Sequence, residues 1–450
     1  MSSNLKLSDG SRIAVIGGGP AGSFFSYFLL SMAERVGLEL NLDIYESRDF
    51  SIPGPAGCNM CGGIISETLV QMLATEVIEL PPAVVQRGVD SYLLHMDVGS
   101  VRIDTPLHEK RIGAVHRGAG PKGMTAAKWL SFDGFLLSLA HDKGAQIIQG
   151  RVDDITWADS RPQVKTKKGE PRIYDLLAMA TGVNSATLKL FEDMDLGYTS
   201  PKSTKTFICE YYLGEETVEK YLGSSMHTFL LKIPRLEFAA IIPKGDYATV
   251  CMLGKKIDKE LVDAFLNSPV VKQVFPVDWE PQGHACHCSP KMYLQGAKQP
   301  FADRLVFIGD CGISLLYKDG IGAAYRTAKA AATSVVFEGI AKQDFQKHYM
   351  AACNRMETDN KLGAFIFKAV HIIQQMRFSR RGILRMVAKE QKKEGKRRLM
   401  SLVLWDMFTG SAPYREVFFR TFHPYFIGGL IKNLVIGIWP AKKIIPSEEE

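Results

Sequence analysis

The sequence predicts an α/β fold, with a Rossmann-type domain, an antiparallel-sheet domain and a helical C-terminal region. Three observations carry the prediction. Arg12-Ile-Ala-Val-Ile-Gly-Gly-Gly-Pro-Ala-Gly-Ser23 reads as a buried strand, a glycine turn and the start of a helix. A buried run returns at Arg304-Leu-Val-Phe-Ile308 and closes on Gly309-Asp310. Between them, residues 203–280 change texture, with short apolar runs that read as antiparallel strands.

In the first element Ile13, Val15 and Ile16 supply the strand, and Gly17, Gly19 and Gly22 have G-x-G-x-x-G spacing. Gly17 permits the tight turn, Gly19 lets backbone approach a pyrophosphate, and Gly22 lets helix and strand pack closely. The helix, expected over Pro20–Val36, aims its N-terminal amides and dipole at the phosphates. A second strand, Leu40-Asn-Leu-Asp-Ile-Tyr45, ends in Glu46. An acid about 20 residues past the glycines suits a ribose diol. Glycine spacing alone is unspecific; with both strands, the helix and the acid it identifies a dinucleotide site.

Ser47-Arg48-Asp49-Phe50 and a turn-rich loop then lead to Cys58-Asn-Met-Cys61-Gly62-Gly63. A helix is expected from Ser66 to about Leu73, and strands between Asp90 and Ile112. Phe132, Phe135, Leu136 and Leu139 share a helical face. Gly144–Ile148, Arg151–Ile155 and Tyr174–Ala180 read as strands, the last running into Thr181-Gly182. In the middle region the strands are Thr228–Lys232, Phe238–Ile242 and Ala248–Met252. Gly320-Ile-Gly322 opens a helix expected over Ala323–Phe337.

A chain of 450 residues accommodates roughly two or three domains. No basic segment precedes an apolar stretch with a cleavage site, so no secretory leader is expected. The eight cysteines do not form a disulfide framework and fit a reducing cytosol. The net charge of +7 is concentrated between Met376 and Leu399, with ten Lys/Arg against two Glu. Interleaved with the apolar and aromatic residues that follow, this fits an anionic membrane surface; the alternative is a cap on the sheet domain with solvated charges. No nucleic-acid motif accompanies the charge. His284-Ala-Cys286-His287-Cys288 is dense in ligand types. In a strand, however, His287 faces away from the others and no second cluster is evident, so strand thiols are expected and no metal. Tyr211 and Tyr212 read as packing or as cavity lining.

With these pieces placed, residues 11 to 345 resemble the flavoproteins that include p-hydroxybenzoate hydroxylase-like monooxygenases and geranylgeranyl reductases. The glycine turn with Glu46, the strand ending in Thr181-Gly182, and Gly309-Asp310 with Gly320-Ile-Gly322 carry the broad likeness. Cys61-Gly62-Gly63, Arg117 and Phe132-Asp-Gly-Phe135 are similar to the geranylgeranyl reductases in particular. Phe238, Ala240 and Ile242 before Pro243 depart from that subfamily's aromatic pattern. The resemblance implies FAD as cofactor and reduction of isoprenoid double bonds, with NAD(P)H or a small redox protein as donor. It implies an FAD-binding domain (11–80, 113–190, 285–345) interleaved with a substrate domain (81–112, 191–284), then a helical region (346–450).

Cofactor contacts are then expected at Gly17, Gly19, Pro20, Ala21, Gly22, Glu46, Ser47, Arg48, Cys61, Gly62, Gly63, Arg117, Val152, Thr181, Gly182, Asp310, Gly320, Ile321, Gly322 and Ala323. Cys61, with Cys58, is a candidate proton donor or redox pair; the competing reading makes Cys61 a small turn residue. The expected protein is cytoplasmic, peripherally membrane-associated and active on a prenyl lipid. The alternatives are a hydroxylase on the same fold or a non-catalytic prenyl-binding protein. A halogenase is disfavoured because its Trp-x-Trp-x-Ile-Pro segment is missing.

Overall fold

The structure is a computed structural model that describes residues 5–58, 62–105, 112–124, 130–167, 169–194, 196–281, 283, 285–392 and 398–439. The chain divides into two compact units. One holds residues 1–59, 116–204 and 291–360, the other 60–115, 205–290 and 361–450. Residues 62–80 and residues 361–392 and 398–439 thus fall in the second unit.

The first unit is built on a six-stranded sheet. Its order is Phe301–Ala302, Leu305–Phe307, Leu176–Met179, Ser11–Ile16, Leu40–Glu46, Gln146–Gln149. All pairings are parallel except the first. A parallel sheet is covered on both faces, so its central strands are apolar throughout, as Ile13–Ile16 is. On one side Phe24 and Phe28 of helix Pro20–Arg35 meet the Tyr325 ring of helix Gly320–Thr333 edge-on, with centroids 5.6 and 5.2 Å apart. On the other, Ala14 and Ile16 join Tyr45, Ile155, Val164, Phe191 and Phe307 in a second core. A small antiparallel sheet, Val152–Ala158, Arg161–Thr166 and Arg172–Ile173, forms part of that cover. The third helix runs Phe132–Asp142, capped by the Ser131 hydroxyl, which accepts from Gly134 N–H at 3.0 Å.

The second unit holds a long sheet. Its main path is Cys286–Cys288, Lys202–Tyr212, Tyr247–Gly254, Leu236–Lys244, Ser225–Phe229, Ser91–Met96, Gly99–Asp104. It is antiparallel as expected, with one difference. The strand placed at Thr228–Lys232 is Ser225–Phe229, and it runs parallel to Ser91–Met96. Leu230 and Leu231 are buried just beyond its end, so apolar character alone misplaced the boundary. Helix Lys259–Leu266 covers one face, with Phe265 against Phe229. Helix Glu67–Thr75 begins at its Ser66 cap. Trp405 of helix Leu399–Thr409 is fully buried against Tyr92, and its indole N–H donates to Glu67 at 3.1 Å.

The basic segment folds as helix Arg377–Gln391, but its apolar residues Ile383, Leu384, Met386 and Val387 are buried within the unit. Arg380 is buried too and ion-paired with Asp97 at 2.7 Å. Its apolar stripe is therefore used internally. Among the described residues no helix is long and apolar enough to cross a membrane.

Candidate functional site

The first unit draws four of the expected segments together. Gly17 has φ of 109°, and a Cβ there would fall 2.6 Å from the Ala180 carbonyl oxygen. The glycine turn therefore lies against the start of Thr181-Gly182. A Cβ on Gly22 would strike the Gly17 carbonyl, which is the close approach the spacing predicts. A Cβ on Gly309 would come within 2.8 Å of the Ala21 methyl, so the Gly309-Asp310 turn packs on the first turn of helix Pro20–Arg35. The Gly320 position lies 3.8 Å from an Asp310 carboxylate oxygen by the same measure. Helix Gly320–Thr333 thus starts beside that acid.

Helix Pro20–Arg35 begins at Gly19 with Pro20 in its first turn and no side-chain cap. Among the described residues no side chain caps its terminal amides, as an anion site requires. Glu46 is buried at the end of its strand. One carboxylate oxygen accepts from Gly18 N–H and the other from Arg48 N–H, both at 2.8 Å. Each oxygen keeps acceptor capacity for a hydroxyl. Ser47 is exposed and Arg48 half-buried.

The Thr181 hydroxyl is buried with no hydrogen-bond partner. A buried hydroxyl left unsatisfied costs about 1–3 kcal/mol, so such a group in a motif calls for an explanation. Asp310 is half-buried. Burial pushes its carboxyl upward, while the Ser314 hydroxyl and the Arg117 charge pull it back. An orphaned hydroxyl, an uncapped helix end and two acids beside glycine turns fit a dinucleotide with polyol groups. Val152, Ile321 and Ala323 have buried side chains, which leaves their main chain for any contact. The N-terminus of helix Gly320–Thr333 carries its own acid, Asp319, which pairs with Arg326 at 2.8 Å.

Arg117, expected to reach the cofactor, forms a bidentate pair with Asp133, at 2.9 and 2.7 Å. Asp133 is fully buried in the first turn of its helix. Arg117 and Phe132-Asp-Gly-Phe135 are therefore two halves of one device. A Cβ on Gly118 would strike the Gly57 carbonyl and lie 2.9 Å from Cys58 Cα, so the pair also positions the loop bearing Cys58.

No protein-family model matches the chain. The likeness to geranylgeranyl reductases is borne out by a curated relative. Geranylgeranyl diphosphate reductase of Synechocystis sp. is 28% identical over 266 residues, 55% of this chain and 56% of that protein. The chain thus matches about half the length of that relative. Among solved structures, a flavoprotein/dehydrogenase from Cytophaga hutchinsonii superposes with a TM-score of 0.62 at 14% identity, covering 96% of this chain and 100% of that one. Halogenase PltM in complex with phloroglucinol and FAD gives 0.57 at 12% identity, over 95% and 96%. Flavin-dependent brominase Bmp2 gives 0.55 at 15%, over 94% and 93%. The chain shares its fold with these proteins.

Cys58 is half-buried, and Cys61 lies outside the described residues. Gly62 and Gly63 belong to the second unit and pack on its sheet. A Cβ on Gly62 would sit 3.2 Å from Cys251 Sγ and 3.5 Å from Ile242 Cδ1. Gly63 has φ of 71°, and a Cβ there would meet the Val115 carbonyl and lie 2.9 Å from Lys244 Nζ. Phe238, Ala240 and Ile242 alternate along one strand, so they share a face. The Cys-Gly-Gly turn, which resembles geranylgeranyl reductases, and the strand that departs from their aromatic pattern therefore meet at Gly62 and Ile242.

Three residues there were not singled out from the sequence. Lys244 is buried, 3.4 Å from Glu210, whose other oxygen accepts from Thr249 at 2.6 Å. Only a lysine directly after Pro243 marks the position in sequence. Tyr211 is core packing, edge-on to Trp279, and Tyr212 is half exposed. Cys286 and Cys288 are half-buried and His287 exposed, as expected of strand alternation; His284 lies outside the described residues. Among the described residues no three ligating side chains converge.

Proposed function

We propose that the protein binds FAD in the first unit and reduces carbon–carbon double bonds of an isoprenoid lipid or quinone tail. The convergence of Gly17, Thr181, Ala21, Gly309, Asp310 and Gly320 on one surface carries the cofactor reading. The uncapped helix would hold the pyrophosphate, Glu46 the ribose, and Asp310 the polyol chain. FAD, when bound, supplies the two-electron reduction. The reduced carbon pair gains two hydrogens, so the protein must supply one proton. A thiol at Cys58 or Cys61 is the proposed source, reprotonated from solvent. Electrons come from NAD(P)H or a small redox protein.

The prenyl substrate is supported by the likeness to a geranylgeranyl diphosphate reductase and by the apolar face of Phe238, Ala240 and Ile242 beside the Gly62 turn. A hydroxylase on the same fold is the second reading; a peptidyl tryptophan dihydroxylase is among the solved structures that share the fold.

The test is anaerobic. The FAD-loaded protein is reduced chemically and mixed with a geranylgeranylated lipid. The reductase reading expects the lipid to gain hydrogen pairs as the flavin reoxidises. Reoxidation only when air is admitted, with an oxygen atom entering an added substrate, would establish the hydroxylase instead. In the first case Cys61→Ala is expected to retain FAD and slow reduction at least tenfold.

A further inference from the structure

Helix Pro424–Gly437 is packed inside out. Apart from the buried Phe426, the face turned into the second unit is small and polar. Gly437 packs on the Phe378 carbonyl, Gly382 backs onto the Asn433 carbonyl, and a Cβ on Gly429 would fall 3.0 Å from Met386 Cε. Asn433, on that face, donates to the Gly429 carbonyl at 2.8 Å and accepts from Lys389 at 3.3 Å. The outward face is apolar. Ile427, Ile431, Val435 and Ile438 follow one another at helical spacing and are 41, 57, 48 and 61% exposed. Tyr425 is exposed at one end of this stripe and Trp439 at the other, 78 and 63%. A water-soluble helix normally carries the reverse arrangement.

The apolar surface includes the preceding turn. Phe419 and Phe422 are exposed, and the Phe418 ring contacts both of them and Phe365. From Val417 to Trp439 the sequence has no acidic residue, while Lys432 and Arg377 are exposed. An exposed patch of this kind needs a cover.

We propose that helix Pro424–Gly437, with Phe419 and Phe422, is an interfacial anchor that lies in the headgroup layer of an anionic bilayer. Rings at the ends of an aliphatic stripe suit the polar–apolar boundary, and Lys432 can extend its ammonium to the phosphates. A 14-residue helix spans about 21 Å, short of a membrane's hydrocarbon core, so it lies along the surface. Charge selects the occupant. The unit carries the strongly basic 376–399 segment, which attracts anionic headgroups and repels a second copy of itself. The anchor shares with the proposed reaction only the idea of a lipid substrate, and its test involves no turnover.

The full FAD-loaded chain is floated with vesicles of phosphatidylcholine alone and of phosphatidylcholine with phosphatidylglycerol. The wild type is expected to float with the anionic vesicles, more weakly as salt rises. The triple variant Ile431→Gln, Val435→Gln, Ile438→Gln is expected to lose partition by more than tenfold. These side chains face solvent, so bound flavin and the thermal midpoint should be retained, which reports on folding. Equal flotation of the variant, or none by the wild type, would overturn the proposal. So would a dimer in sedimentation velocity that the variant dissociates without any vesicle binding. Vesicle binding without lipid reduction would count against the proposed reaction and leave the anchor standing.

Discussion

Thr181 shows what a single residue can report. Its place after the strand Leu176–Met179 was legible, because a buried strand running into Thr-Gly is a local pattern. Its unsatisfied hydroxyl was not, since that depends on how Gly17 packs on Ala180. Thr181→Val keeps the shape and removes the orphan. The apo protein is expected to become more stable by about 1 kcal/mol, while FAD binding weakens about five- to tenfold through one lost hydrogen bond. Denaturant melts of the apo protein and a flavin-fluorescence titration check both halves. Lower apo stability with unchanged affinity would mean that the hydroxyl serves the fold alone. Arg117 makes the complementary point. The residue and the Phe132-Asp-Gly-Phe135 segment were both visible, but nothing in the sequence shows that a guanidinium pairs with an acid sixteen positions on. The pair fixes the loop bearing Cys58, so Arg117 acts on the site partly through position.

At the scale of elements, periodicity and capping located most helices and strands. The strand Ser11–Ile16, the helix that follows and the strand ending at Glu46 stand within a residue or so of expectation. Strands flanked by more apolar chain were displaced, as at Ser225–Phe229. The parallel partner there, Ser91–Met96, lies far away in sequence and leaves no local trace. The basic helix was visible as a charge run, yet which side of it would be buried is set by the sheet and by helix Pro424–Gly437. The same parallel pairing stacks His95 on His227, with ring nitrogens 3.0 Å apart, and the Phe229 ring stacks on His95. Burial depresses both; His227 is held at about 4 against an ordinary 6.5. A folded value below the unfolded one means stability is complete above about pH 6.5 and is lost as pH falls toward 4. Between pH 7 and 5 the wild type is expected to lose on the order of 2 kcal/mol through His227 alone. His227→Gln should flatten that slope even if it lowers stability at pH 7. Urea midpoints across the range decide; parallel slopes would place the acid sensitivity elsewhere.

Over the whole molecule, the proposed cofactor surface is assembled from chain segments that meet only when the first unit is folded. The glycine turn and Glu46 lie before residue 60, Thr181 in the segment 116–204, and Asp310 and Gly320 in the segment 291–360. A ligand recognising all three binds the folded unit and has no equivalent site on the unfolded chain. FAD at a hundredfold its dissociation constant should therefore add about 2.7 kcal/mol to that unit's stability. Hydrogen exchange gives the sharper reading. Amides at Gly17–Ser23, Thr181–Gly182 and Gly309–Ala323 are expected to slow together on loading, by the same free energy wherever exchange needs the unit to open as a whole. Protection confined to Gly17–Ser23 would mean that only the pyrophosphate end is recognised. Asp310 and Thr181 would then lose their assignment to the cofactor, and the case for a flavin rather than a smaller nucleotide would fall with them.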